Sequence, residues 1–197
     1  MKKLFLLGFT ILLFAACESR YTQTSPEIDV VKALIEDYET GDWEGWRSHY
    51  SDTAKSYHNT KDGGVGPEVT MERIKKSVAG LSAYQFEDDD GDLEMVVDDK
   101  GRTWVNFWGT WQGTLNGSDK QLEVPVHLTF QMVDSKIVRE YGYWDNSPRM
   151  KAEMEMEGSR EVKSAMMQKD GTTDTDAVMK KDEPKKKQAN NKDATMN

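Results

Sequence analysis

Chemistry in this 197-residue chain would have to start from the imidazoles of His49, His58 and His127, the only histidines present. An imidazole titrates near pH 6.5, so one ring can accept a proton while another donates one. A well-placed acid or base of this kind contributes roughly 10²–10⁴-fold to a rate. The three are far apart and lack any local spacing such as His-x₃-His, so no metal is expected from them. The acidic run Asp88-Asp89-Asp90-Gly91-Asp92 has the look of a calcium loop. An EF-hand frame ending its ligand triplet at Asp90-Gly91, however, puts Phe86 at its first position and Val97 at its twelfth, where oxygen ligands are required. A solvated turn is expected there. The methionines between Met150 and Met179 offer thioethers suited to a soft metal, but without a repeat that includes His. Neither a metal nor a cofactor is expected.

The single cysteine, Cys17, has a different chemistry. Lys2 and Lys3 form a positive n-region, Leu4 to Phe14 form an apolar run of signal-peptide length, and Ala15-Ala16 lead directly into the cysteine. A spanning helix needs about 18–20 apolar residues, and the run stops at Cys17-Glu18-Ser19-Arg20. With no second cysteine there can be no internal disulfide. The stretch resembles a lipobox, with Phe14 standing where leucine is usual. Residues 1–16 are therefore expected to be a cleaved signal peptide, Cys17 the lipid-bearing anchor to a membrane, and 17–25 a lipidated linker. Glu18 does not resemble the aspartate of inner-membrane retention, which favours the outer membrane of the cell envelope, on its periplasmic or surface face.

From Met150 to Asn197 there is no Trp, Tyr, Phe, Leu or Ile. Such a segment cannot offset an ordering entropy of about 1–2 kcal/mol per residue, so 150–197 is expected to be a disordered charged tail with transient helix in Met150 to Lys169. Its acidic and basic residues balance, which leaves the net charge of −9 almost wholly in the rest of the chain. An acidic protein with pI near 4.9 is not built for phosphate backbones, and no nucleic-acid partner is expected. Lys185-Lys186-Lys187 is read as a solvated run.

Residues 26–149 hold all six tryptophans and are expected to form one domain. Ser25-Pro26-Glu27 starts a helix, with Val31, Leu34, Ile35 and Tyr38 at helical spacing and Gly41 ending it. Asp42 caps a second helix carrying Trp43 and Trp46. A short strand follows over Ala54–Asn59, then a glycine-rich loop, then a third helix with Met71, Ile74, Val78 and Leu81 on one face. Asp98-Asp99-Lys100-Gly101, Asn116-Gly117 and Asp134-Ser135-Lys136 are turns separating the strands Leu93–Val97, Arg102–Gly113, Leu122–Val133 and Ile137–Trp144. The pattern predicts an α+β fold in which three N-terminal helices cover one face of a curved antiparallel sheet and enclose a pocket.

Strand alternation offers two candidate linings. In the third of these strands Val124, Val126, Leu128 and Phe130 share one face, and Pro125, His127, Thr129 and Gln131 the other. In the second, Trp104, Asn106, Trp108 and Thr110 oppose Val105, Phe107 and Trp111, and the alternation does not say which set faces inward. Tryptophan and tyrosine walls with a few polar groups suit a planar or amphipathic organic ligand, and plain core packing explains them equally.

The segment Tyr38-Glu39-Thr40-Gly41-Asp42-Trp43-Glu44, then His49-Tyr50-Ser51-Asp52-Thr53-Ala54, resembles the opening of the nuclear transport factor 2-like (NTF2-like) superfamily. That superfamily includes the SnoaL-like cyclases and ketosteroid isomerases. Asp134 to Asp145 resembles its closing strand. The resemblance implies a cone-shaped half-barrel with a deep cavity, and enzymes and plain binders share that fold. It also places His58 where the isomerases carry their general base, His127 at the oxyanion-hole aspartate, and Trp144 at a pocket tryptophan. Both histidines are then expected in the cavity. Leu34 stands at the oxyanion tyrosine, so steroid isomerisation is not expected. Scytalone dehydratase, another branch, is similar in using histidines with aspartate and tyrosine; candidate companions here are Tyr57, Tyr141 and Asp145, the last near the end of the final strand, where the resemblance to SnoaL-like cyclases implies an acid–base aspartate.

The candidate catalytic set is thus His58, His127 and Asp145, and the candidate ligand-binding set Trp43, Trp46, Tyr57, Trp108, Tyr141 and Trp144. With His127 facing inward, the apolar face of its strand needs a cover, and a homodimer through the sheet is expected. Three roles remain open: an envelope-tethered module binding a small organic ligand; an acid–base isomerase, cyclase or dehydratase using the same cavity; and a non-catalytic envelope interaction protein.

Overall fold

The computed structural model describes residues 20–87 and 92–170, without the side chains of residues 169 and 170. Cys17, the signal segment, the acidic run Asp88–Gly91 and the tail beyond residue 170 lie outside the described residues. The chain divides into two compact units, Met1–Glu153 and Met154–Asn197.

In the first unit, helix α1 (Pro26–Thr40) opens on Ser25, whose hydroxyl accepts the Ile28 N–H at 3.2 Å, and closes on Gly41 in the left-handed region at φ 73°. Asp42 caps α2 (Trp43–Ser48) by accepting the Gly45 N–H. Strand β2 (Tyr50–His58) follows, then α3 (Pro67–Val78) with proline in its first turn. Leu81, placed on that helix by its periodicity, instead begins strand β3 (Leu81–Phe86), because α3 ends at Val78 and Gly80 intervenes. Strands β4 (Asp92–Val97), β5 (Thr103–Leu115), β6 (Gln121–Val133) and β7 (Lys136–Trp144) complete the run.

Tyr21–Thr22 forms a short β1 that pairs with β4, so two residues of the segment read as a linker belong to the sheet. Among the described residues the order is β1-β4-β5-β6-β7-β2, with β3 also paired to β5. The sheet is curved and open, and it is mixed rather than wholly antiparallel. Strand β2 runs parallel to β7, setting Ser56 beside Glu140 and His58 beside Gly142. Helices α1 to α3 pack on one face, and the core there includes Ile28, Val31, Leu34, Trp46, Tyr50, Val105, Phe107, Phe130 and Ile137. This is the expected α+β architecture of helices over a curved sheet.

Helix α4 begins at Ser147 and runs to Asp170, where the sequence predicts a disordered tail from Met150 with only transient helix. Its first turns belong to the first unit. Ala152 is buried, and Arg149 reaches Ser77 on α3 through bonds to the hydroxyl at 2.9 Å and the carbonyl at 2.7 Å. That anchorage supplies the packing which composition alone does not suggest. In the second unit the helix continues with Met154, Met166 and Met167 exposed.

Candidate functional site

The sheet face under the helices does not close completely. It leaves a cavity of about 330 Å³ whose walls come from Leu34, Ile35 and Tyr38 on α1, Ile74 and Val78 on α3, and Val124, Val126, Leu128 and Phe130 on β6. Its far wall is Trp111, whose indole N–H donates to the Tyr38 hydroxyl at 2.8 Å and so ties α1 to β5. Burial pushes the Tyr38 phenol well above its ordinary range, which keeps it neutral.

Against these apolar walls stands one buried carboxylate. Glu140 lies on β7 with a relative exposure of 4%. Its Oε1 takes a hydrogen bond with His58 Nε2 at 2.8 Å, and its Oε2 accepts from Tyr50 at 2.9 Å and Ser56 at 2.7 Å. The parallel pairing of β2 with β7 is what brings Ser56 and His58 to the carboxylate. Burial alone would push the Glu140 carboxyl upward, but the charge and bond of His58, with Ser56 and Tyr50, hold it below its ordinary value. Burial likewise works against a charged His58, yet Glu140 outweighs it and raises the imidazole. The two form a histidine–carboxylate dyad in which each group favours the charged form of the other. When the ring is neutral the Glu140 bond keeps the proton on Nε2, and Nδ1 becomes the acceptor.

Gly142 makes room for this arrangement. A Cβ there would come within 2.7 Å of the Trp144 ring, 3.0 Å of Leu128 and 3.1 Å of the His58 ring, so glycine allows both rings to pack over the strand. The His58 and Trp144 rings meet edge-on with centroids 5.1 Å apart. The mouth carries Arg73 and Ser77 of α3, Asn146 and Arg149. Arg149 is engaged with Ser77 and with Glu153 at 2.9 Å.

Of the nine side chains expected at the site, His58, Trp46 and Trp144 line the cavity. His127 does not, which corrects its expected position. Because Val124, Val126, Leu128 and Phe130 face the helices, the alternation of β6 turns His127 to the opposite face of the sheet, where it packs on Trp108 with centroids 4.7 Å apart. Trp108 is 40% exposed there. Tyr57 and Tyr141 stack on each other at 4.9 Å on that outer face, across the same parallel pairing. Trp43 rests edge-on against Tyr38 outside the lining. Asp145 is exposed and accepts the Ser147 N–H at 2.8 Å at the start of α4; the Ser147 side chain first, and this backbone bond second, keep its carboxyl low. The apolar face of β6 is covered by the chain's own helices, so the reason for expecting a second copy across the sheet is not met.

His49, unassigned by the sequence, bonds Asp37 at 2.7 Å and fastens the end of α2 to α1. Glu140, Tyr50, Ser56 and Arg73 were not among the expected residues. Glu140 was within reach, since it shares a strand face with Trp144, and a glutamate on an inward face needs a partner.

Solved structures with this architecture share little sequence with it. A SnoaL-like protein from Shewanella denitrificans OS-217, a candidate polyketide cyclase, is 13% identical, covers 65% of this chain and 96% of its own, and superposes with a TM-score of 0.50. IdmH, a candidate polyketide cyclase from Streptomyces antibioticus, is 16% identical over 64% of this chain and 95% of its own, with a TM-score of 0.52. A protein of ketosteroid isomerase-like fold from Catenulispora acidiphila DSM 44928, solved with trimethylamine, is 13% identical over 64% and 90%, with a TM-score of 0.50. No protein-family model and no curated protein matches the sequence. The fold is the one these SnoaL-like and ketosteroid isomerase-like structures share.

Proposed function

We propose that this is an envelope-tethered NTF2-like domain that binds a small organic ligand in its cavity. The observation that carries the reading is the cavity itself, about 330 Å³ of largely apolar wall with its polar groups gathered at His58, Glu140 and the mouth. Pockets that hold small molecules have this composition, apolar surface for affinity and a few placed polar groups for orientation. Titration calorimetry with a planar probe such as indole-3-ethanol tests it. Binding is expected to the full chain and to be lost in Val126→Trp, which fills the space. Equal binding by Val126→Trp would remove the cavity from consideration.

The dyad supports a second reading, acid–base catalysis by an isomerase, cyclase or dehydratase. An imidazole whose far nitrogen is held by a carboxylate can take a proton from a ligand carbon at Nδ1 while Glu140 stabilises the resulting imidazolium. Solvent-deuterium incorporation next to the carbonyl of 2-tetralone, lost in His58→Gln, is the expected sign. Incorporation no faster than in buffer would count against it.

Tethering is proposed through a lipid on Cys17, supported by Lys2-Lys3, the apolar run and Ala15-Ala16 before it. An alkynyl fatty acid fed to cells should label the chain and leave Cys17→Ser unlabelled. Density fractionation should then put the labelled chain with the outer membrane; recovery in the inner membrane would refute that placement.

A further inference from the structure

The mouth of the cavity has a charge with no counterpart. Glu140 is answered by His58, and Arg149 by Glu153. The acids of α3 are also engaged, Glu68 with Arg47 and Glu72 with Lys75. Arg73, on the exposed rim of α3 and lining the cavity, has no hydrogen bond or ion pair among the described residues. Its guanidinium is near enough to the dyad to work against protonation of His58.

We infer that the cavity takes an apolar or aromatic monocarboxylate, its ring or chain among Leu34, Trp111, Val126 and Leu128 and its carboxylate on Arg73 at the mouth. The inference rests on the small-ligand reading and names the ligand's class.

Three features point to this chemistry. Guanidinium presents a planar fork that matches a carboxylate with two parallel bonds, and an arginine at a cavity mouth with no protein partner is free to do so. The interior beyond it is apolar, which excludes ligands charged at both ends, because a second charge there would lose its hydration without a partner. The one interior anion, Glu140, has both oxygens occupied by His58, Tyr50 and Ser56, so it does not call for a cationic ligand. With the other charges at the mouth answered in pairs, a single unanswered guanidinium suits one negative charge better than two.

Three probes sharing one ring and differing in charge make the test: indole-3-acetate, indole-3-ethanol and tryptamine, titrated calorimetrically into the full chain. The quantity read is the affinity for the acetate relative to the alcohol. A charge-assisted bond is expected to raise that ratio roughly tenfold or more, with tryptamine the weakest. Arg73→Gln should bring the ratio to about one, and Arg73→Lys should restore part of it. Lys55→Gln, on the outer face of β2, is the control and should leave the ratio as it was. Circular dichroism checks that each variant is folded. Equal binding of acetate and alcohol, or a ratio that survives Arg73→Gln, overturns the carboxylate assignment while the cavity reading stands. Absence of binding by all three probes, with Val126→Trp no different, overturns both.

Discussion

His58 and His127 sit on strands of one sheet, two strands apart, and meet opposite fates because they lie on opposite faces. His58 faces the helices and finds Glu140 at 2.8 Å. His127 faces away, is covered by the Trp108 ring, and its Nε2 is buried without a hydrogen-bond partner among the described residues. Burial disfavours the charged form of both rings. It wins at His127, whose imidazole is lowered, and loses at His58, where a carboxylate raises it. What separates the two residues is the partner, more than the depth.

The contrast can be broken most severely at its anchor. Glu140→Ala removes the acceptor of three bonds, and urea denaturation should show a loss of about 3–5 kcal/mol, the usual cost of breaking a buried pair. His58→Leu leaves the carboxylate buried with two neutral donors and should cost about 3 kcal/mol by the same assay. Gly142→Ala crowds Trp144, Leu128 and His58 together and should lower stability by about 1–3 kcal/mol. His127→Phe, on the other face, should be neutral or gain up to about 1 kcal/mol, since it removes an unsatisfied nitrogen from beside Trp108. A loss at His127 matching that at His58 would erase the distinction between the faces.

A smaller effect sharpens the comparison through pH. Nuclear magnetic resonance should find the midpoint of His58 above the ordinary 6.5 and that of His127 below it. For His58 the stabilisation is complete below pH 6.5 and disappears as pH rises through its raised folded value. For Glu140 it is present above the ordinary 4.5 and disappears as pH falls through its lowered value. The dyad should therefore contribute most between about pH 4.5 and 6.5. His127 acts in the opposite sense, since folding favours its neutral ring, and stability gained from it grows as pH rises toward 6.5. Replacing His127 should flatten that rise below pH 6.5 and leave the loss of stability above it unchanged.

The same two residues show how far the sequence is legible. Caps and turns are local, so Ser25, Gly41, Asp42 and the strand-separating turns place the elements within a few residues. The direction a strand face takes depends on what packs against it, and in β6 both faces were plausible. Inheriting His127 from the isomerase pattern chose the polar face. The structure puts Val124, Val126, Leu128 and Phe130 inward, which accords with their greater apolar area. The parallel pairing of β2 with β7 is a long-range contact between residues about 84 apart, and no local signal announces it. Glu140 is hidden for that reason, although Trp144, four residues on and on the same strand face, is legible as a pocket residue. Composition suggests only transient helix from Met150, because the first turns of α4 are held by Arg149 on Ser77, a contact invisible to composition.

Strand β1 has a mechanical consequence. With Tyr21 and Thr22 clamped to β4, only three residues separate the sheet from Cys17. Fully stretched, that leash reaches roughly 14 Å. If residue 17 bears acyl chains, the body cannot swing freely through the aqueous space. It would be held at the bilayer surface.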